Sequence, residues 1–110
     1  MSKSLIPKLE AIKQRYNEVA DLIIQPDVIS DQKKYSSLNK EYSDLGKIVA
    51  VFDQYKQALK TIEESDEIIA DGSDKEFVEM AKMEKNEAIQ KIPGFEEQLK
   101  VLLIPKDPAD

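Results

Sequence analysis

Residues Asp31–Ala70 read DQKKYSSLNKEYSDLGKIVAVFDQYKQALKTIEESDEIIA, and this stretch decides the fold. It contains no proline and a single glycine, and its apolar side chains recur at intervals of three and four residues. That spacing is typical of one face of an α-helix. At about 1.5 Å per residue the helix would be roughly 60 Å long, too long to bury its apolar stripe on itself. Other helices must therefore pack along the stripe, whose members are Tyr35, Leu38, Tyr42, Leu45, Val49, Phe52, Tyr55, Leu59, Ile62 and Ile69.

The apolar stripe of this long helix changes its phase near Ile48. Positions up to Leu45 keep a regular interval, and a second, rotated line of apolar residues follows. A slip of this kind turns the apolar face around the helix axis. We therefore expect the long helix to change its packing partner at this point. The rotated line consists of Ile48, Phe52, Tyr55, Leu59 and Ile62.

A shorter amphipathic segment precedes the long helix, and Ser4 is placed to cap its first turn. The sequence Gln25-Pro26-Asp27 predicts a turn that ends it, and Ser30 or Asp31 can cap the next helix. Because the connection is so short, the two helices should run antiparallel, with Leu5 beside about residue 50. The apolar positions of this first helix are Leu5, Leu9, Ile12, Tyr16, Val19 and Ile23.

A second break, Asp71-Gly72-Ser73-Asp74, separates the long helix from a third one. Gly72 suits the left-handed position that follows a helix, and Ser73 with Glu76 has the pattern of a capping box. The apolar phase of the third helix is kept across Pro93-Gly94, which predicts one continuous, kinked helix. Its apolar positions are Phe77, Met80, Ala81, Ala88, Ile92, Phe95, Leu99 and Leu102.

The predicted fold is all-α: an elongated three-helix antiparallel bundle or coiled coil with one long central helix. Residues 1–104 are expected to form this helical domain, and residues 105–110, with two prolines, to begin a linker. The part of the long helix far from the first helix would pair only with the third helix. Such a two-helix hairpin buries little apolar area. It cannot bury all of Ile68, Ile69, Val78, Met80 and Met83.

These five residues are the candidate partner-docking surface, because contiguous exposed apolar groups often mark interaction sites. Weak self-association of the chain through these five residues is a second role that their exposure suggests. The alternative is that some of them simply stay exposed, as single apolar residues often do.

Composition disfavours several functions. The chain has 22 acidic and 16 basic residues, so we expect no direct nucleic-acid binding and favour basic protein partners. It has no cysteine and no histidine, which removes thiolate and imidazole chemistry.

No apolar run is long enough to span a bilayer, so no membrane partner is expected and a cytoplasmic location is the default. We predict no catalytic, metal or cofactor site, because the carboxylate pairs Glu63-Glu64, Asp66-Glu67 and Glu96-Glu97 are expected on solvated faces.

The C-terminal sequence QLKVLLIPKDPAD, residues 98–110, resembles the junction after the N-terminal helical domain of bacterial class I peptide chain release factors. The segments Lys8–Ile12 and Arg15–Val19 resemble the opening helix of that family. Lys40–Leu45 is similar to its second helix, and Glu76–Ala81 to the start of its third. The resemblance spans the whole chain, and the Leu-Leu-x-Pro-Lys-Asp-Pro junction is its most specific part.

The resemblance implies a full protein that recognises UAA and UAG codons in the ribosomal A site and triggers hydrolysis of peptidyl-tRNA. It places the codon-reading Pro-x-Thr loop and the Gly-Gly-Gln loop beyond Asp110, so no functional residue is carried over to this chain. For this domain it implies docking near the ribosomal stalk base and an influence on the class II GTPase release factor. The alternatives are a free-standing helical adaptor or coiled-coil structural protein, and the paralogous factor that reads UGA.

Overall fold

The structure, a computed structural model, describes residues 5–105. It contains four helices, and none of the described residues belongs to a strand, so the all-α prediction is confirmed. The predicted cap Ser4 and the predicted linker residues 106–110 lie outside the described residues. The helices are α1 (Leu5–Leu22), α2 (Pro26–Ile29), α3 (Gln32–Asp71) and α4 (Lys75–Leu102).

The helix count of four, rather than the predicted three, comes from the one-turn helix α2. Sequence analysis assigned Gln25-Pro26-Asp27 to a simple turn. Pro26 instead occupies the first helical turn, where its missing N–H group breaks no hydrogen bond, and its carbonyl accepts from the Ser30 N–H at 3.0 Å. Val28 is almost completely buried and anchors this short helix.

The described residues form two compact units, one up to Ala50 and one from Val51 onwards. The first unit contains α1, α2 and the first part of α3. The second contains the remainder of α3 together with α4. The prediction of a single elongated three-helix bundle over residues 1–104 stays a prediction.

In the first unit, α1 and α3 are joined by side-chain contacts between Arg15 and Glu41 and between Tyr16 and Tyr42. Arg15 Nε and Nη2 donate to the two carboxylate oxygens of Glu41 at 2.7 and 2.9 Å, and this hydrogen bonding lowers the pKa of Glu41. The tyrosine rings stack with centroids 4.6 Å apart. The predicted register, with Leu5 beside about residue 50, corresponds to Arg15 beside about residue 40, and the observed partner is Glu41.

In the second unit, two contacts show that α3 and α4 run antiparallel. Asp66 bonds to Lys85 at 2.5 Å, and Tyr55 bonds to Glu96. Tyr55 lies eleven residues before Asp66 on α3, and Glu96 lies eleven residues after Lys85 on α4. Equal and opposite steps of this kind require an antiparallel hairpin.

The Tyr55–Glu96 contact predicts a specific pH dependence. Burial, and then the Glu96 carboxylate, raise the pKa of Tyr55 above its ordinary value of 10.0. Its contribution to stability is therefore complete below about pH 10 and is lost as the pH rises through the folded-state pKa. Tyr55→Phe should lower the free energy of unfolding by about 1 kcal/mol at neutral pH and flatten its fall above pH 10. Urea titrations across pH would measure both effects.

The matched control for this prediction is Tyr35→Phe, because Tyr35 is exposed. It should leave the free energy of unfolding and its alkaline slope unchanged. Equal slopes in Tyr55→Phe and the unsubstituted chain would contradict the assigned role of Tyr55.

The buried residues of α3 from Val49 to Ala58 follow a line that rotates around the helix axis. The predicted phase slip near Ile48 and the change of packing partner there stay predictions. Buried residues at 49, 52, 55 and 58 are spaced by three, and each such step moves the buried line about 60° around the helix axis. Two predicted stripe members, Tyr35 and Leu59, are nevertheless exposed, while the small residues Ala58 and Ser65 are buried. The predicted stripe contains only large apolar residues. It therefore leaves out the small side chains that lie on the buried face.

The connection between α3 and α4 has the predicted glycine but a different cap. Gly72 has a φ of +65°, and its N–H donates to the Ile68 carbonyl at 3.1 Å. The predicted capping box of Ser73 and Glu76 is wrong. Asp74 is the cap, and its carboxylate accepts from the backbone N–H groups of Glu76 and Phe77. A carboxylate is favoured there because it faces the positive end of the helix dipole.

The other predicted helix limits agree with the structure. The Asp31 carboxylate accepts from the Lys34 N–H at 3.2 Å and caps α3. Helix α4 continues through Pro93 and Gly94 to Leu102, which confirms the predicted continuity. The kink at this position stays a prediction.

Two glycines provide a matched test of the backbone conformation. Gly72→Ala should lower the free energy of unfolding by about 1–2 kcal/mol, because an L-residue is strained in the left-handed region. Gly94 is helical, and apart from its chain neighbours and the backbone of its own helix, no atom of the described residues lies within 4 Å of where its Cβ would be. Gly94→Ala should therefore stabilise this chain by up to about 1 kcal/mol. Urea denaturation of the two variants would measure the difference, and effects of equal sign would contradict it.

Candidate docking surface at the α3–α4 turn

The five predicted docking residues lie on both sides of the α3–α4 turn. Ile68 and Ile69 belong to the last turns of α3, and Val78, Met80 and Met83 to the first turns of α4. Met80, Met83 and Ile68 are exposed, with Met83 at 66% of its full accessibility. Ile69 and Val78 are half-buried. The structure thus leaves three of the five residues available to a partner.

Phe77 differs from its prediction as a packed residue of the third helix. In the structure Phe77 is 59% exposed. Asp66 pairs with Lys85, and the same antiparallel register continued towards the turn places Asp74 opposite Phe77. Asp74 lies in the turn and not in α3. No residue of α3 therefore lies directly opposite this ring. We call Ile68, Phe77, Met80 and Met83 the distal surface.

A shallow groove of about 400 Å³ lies beside the turn and includes part of the distal surface. Ile68 and Phe77 supply its apolar side chains. Three of its six lining residues are acidic, and this combination suits a partner segment that carries both apolar and basic side chains. The remaining lining residues are Glu67, Asp71, Ser73 and Asp74.

The carboxylate pairs offer no metal-binding arrangement within residues 5–105, where no group of three or more suitable side chains comes together. Glu63 and Glu64 are exposed, as predicted. Asp66, Glu67 and Glu97 are also exposed, and Asp66 pairs with Lys85. Glu96 is half-buried against Tyr55. The contacts of Asp66 and Glu96 join α3 to α4. In the same described part of the chain, no helix has the length and apolar character needed to cross a membrane.

Comparison with known proteins identifies the class of domain. A family model described as the PCRF domain matches residues 12–110, which is most of the chain. The chain belongs to this family.

The most informative relatives are full proteins named Peptide chain release factor 1. The chain is 54% identical over 106 residues to the one from Flavobacterium johnsoniae, 53% to that of Flavobacterium psychrophilum and 45% to that of Staphylococcus carnosus. Each match covers 96% of this chain and 30% of the relative, so the chain spans less than a third of the length of these proteins. The resemblance to release factors is confirmed, and neither the adaptor nor the UGA-reading paralogue is favoured. No solved structure matches the chain.

Proposed function

We propose that this chain is the N-terminal helical domain of a release factor that directs translation termination at UAA and UAG codons. The observation that carries the proposal is the 54% identity over 96% of the chain to a relative of that name. In this proposal residues 1–104 form the domain and a linker begins at residue 105. The codon-reading loop and the Gly-Gly-Gln loop follow Asp110, so this chain is not itself an enzyme. The protein acts in the cytoplasm, on the ribosome.

In the same proposal the distal surface docks the domain near the ribosomal stalk base. Its exposed apolar side chains supply the contact area, and the acidic residues of the neighbouring groove favour a basic ribosomal protein over the phosphate backbone of RNA. The class II GTPase release factor is the second proposed partner. Docking of this kind positions the remaining domains without supplying any chemistry.

The test is binding of this chain to ribosomes and, separately, to the isolated stalk-base protein. A Met80→Asp, Met83→Asp double variant should weaken binding about tenfold or more, because buried charges at an interface centre are costly. Ile24→Asp is the matched control, since Ile24 is equally exposed but lies in the first unit. It should bind as the unsubstituted chain does.

Binding that is indifferent to the double variant would exclude the distal surface as the docking site. Circular dichroism of all variants would show that helix content is unchanged. Analytical ultracentrifugation would separate docking from self-association. Dimers that dissociate in the double variant but persist in Ile24→Asp would assign the distal surface to a second copy instead.

A further inference from the structure

The C-terminal end of α4 and the two residues that follow it are rich in apolar side chains. Leu99 is fully buried, and Leu102 and the following Leu103 are half-buried. Val101 and Ile104 face away and are 57% and 66% exposed. Neighbouring apolar side chains that stay exposed often mark a contact site. The side that carries Val101 and Ile104 therefore lacks a cover.

The uncovered side continues backwards along α4 to Gly94. Gly94 and Val101 are seven residues apart, so they lie within about 20° of each other on the helix. They line a shallow apolar groove of about 500 Å³ together with Glu97, Gln98 and Leu102.

Gly94 is unusual because nothing in the described part of the chain explains it. A glycine inside a helix costs about 1 kcal/mol relative to alanine. At Gly46 the reason is visible: an added Cβ would lie 3.3 Å from Cε1 of the Tyr16 ring. At Gly94 the corresponding space is open. Glycine also permits another backbone to approach closely, so this position is suited to a segment that the structure does not contain.

We propose that the face of α4 formed by Gly94, Gln98 and Val101, together with Ile104 just after the helix, is covered in the full-length protein by polypeptide that follows Asp110. This inference rests on the proposed placement of further domains after Asp110. The matched relatives contain more than twice as much sequence outside the match as within it. This additional sequence is long enough to supply the covering segment. The face also lies beside the last described residues of the chain.

A tethered segment fits this face better than a second copy does. A stable interface buries roughly 800 Å² on each partner. Two exposed large apolar side chains supply far less area than that. A segment of the same chain needs less contact area, because the tether keeps its effective concentration in the millimolar range. The small size of the face thus favours an intramolecular cover.

Thiol labelling of the full-length protein, with any other cysteines replaced, would test the inference. Val101→Cys should react with a maleimide about tenfold more slowly than Lys82→Cys, an exposed position on the same helix. Gly94→Leu should fill the groove and raise the Val101→Cys rate towards that of the control. Equal rates at positions 101 and 82 would overturn the inference.

Two further measurements identify the cover. A photo-crosslinker at position 101 should join residues beyond 110 within one chain, and protection should not depend on protein concentration. Crosslinks to residues 1–110, or protection that disappears on dilution, would overturn the inference.

Stop-codon-dependent peptide release by the unsubstituted protein tests the proposed function separately. An active protein with an unprotected thiol overturns this inference alone, and an inactive protein with a protected thiol overturns the proposed function alone.

Discussion

Phe52→Ala is expected to lower the free energy of unfolding by about 3–5 kcal/mol, a large part of the stability of a domain of this size. Phe52 is only 1% exposed and is the largest fully buried side chain among the described residues. Replacing its benzyl side chain by a methyl group removes apolar burial and leaves a cavity that rigid helices can fill only in part. Lys56 Nζ also lies 5.0 Å from the ring centroid, and this cation–π contact would be lost.

Phe77→Ala is the matched control, because Phe77 is an exposed phenylalanine of the same unit. It should change the free energy of unfolding by less than about 0.5 kcal/mol. Phe52→Leu keeps most of the buried volume and removes only the ring, so it should cost less than about 1.5 kcal/mol. Urea denaturation followed by circular dichroism would measure all three variants. Similar losses in Phe52→Ala and Phe77→Ala would contradict the assigned burial.

Leu99→Ala should have the second largest effect, a loss of about 2–5 kcal/mol in the free energy of unfolding. Leu99 is completely inaccessible to solvent, although it lies only three residues before the end of α4 at Leu102. Because its whole side chain is packed, truncation to alanine removes contacts on every side. The end of α4 would then be expected to fray, with faster hydrogen exchange of its amide groups.

Val101→Ala is the corresponding control, two residues further along the same helix. Val101 is exposed in the structure, so its truncation in this chain should cost less than about 0.5 kcal/mol. The comparison uses urea denaturation of this chain and amide exchange at residues 95–103. If Leu99→Ala were as mild as Val101→Ala, the end of α4 would not be packed as the structure describes it.

The sequence predicts those features of the fold that local chemistry determines. Gly72 marks the end of α3 because only glycine adopts a φ of +65° without strain. Asp31 marks the start of α3 because its carboxylate can accept from the first helical N–H groups. The pairing of Arg15 with Glu41 is also predictable within one residue, since a short connection between helices fixes their register.

Features that depend on three-dimensional neighbours are not predicted from the sequence. Helix α2 is a single turn and is too short to show a helical period, so only the burial of Val28 reveals its role. Ser73 and Asp74 are both capable caps, and the backbone path decides between them. Phe77 has the correct spacing for a packed position, but α3 ends before the position opposite its ring. The assignment of a docking surface to this end of the hairpin stays a prediction.

The antiparallel register of α3 and α4 also has a consequence for the order of folding. Asp66 and Lys85 are 19 residues apart in sequence, whereas Tyr55 and Glu96 are 41 apart. Closing the longer loop costs about 0.7 kcal/mol more chain entropy than closing the shorter one. Contacts near Gly72 should accordingly form first, and the hairpin should close progressively away from its turn. The residues proposed to meet the ribosome would then be brought together by the most local contacts of the hairpin, early in its folding.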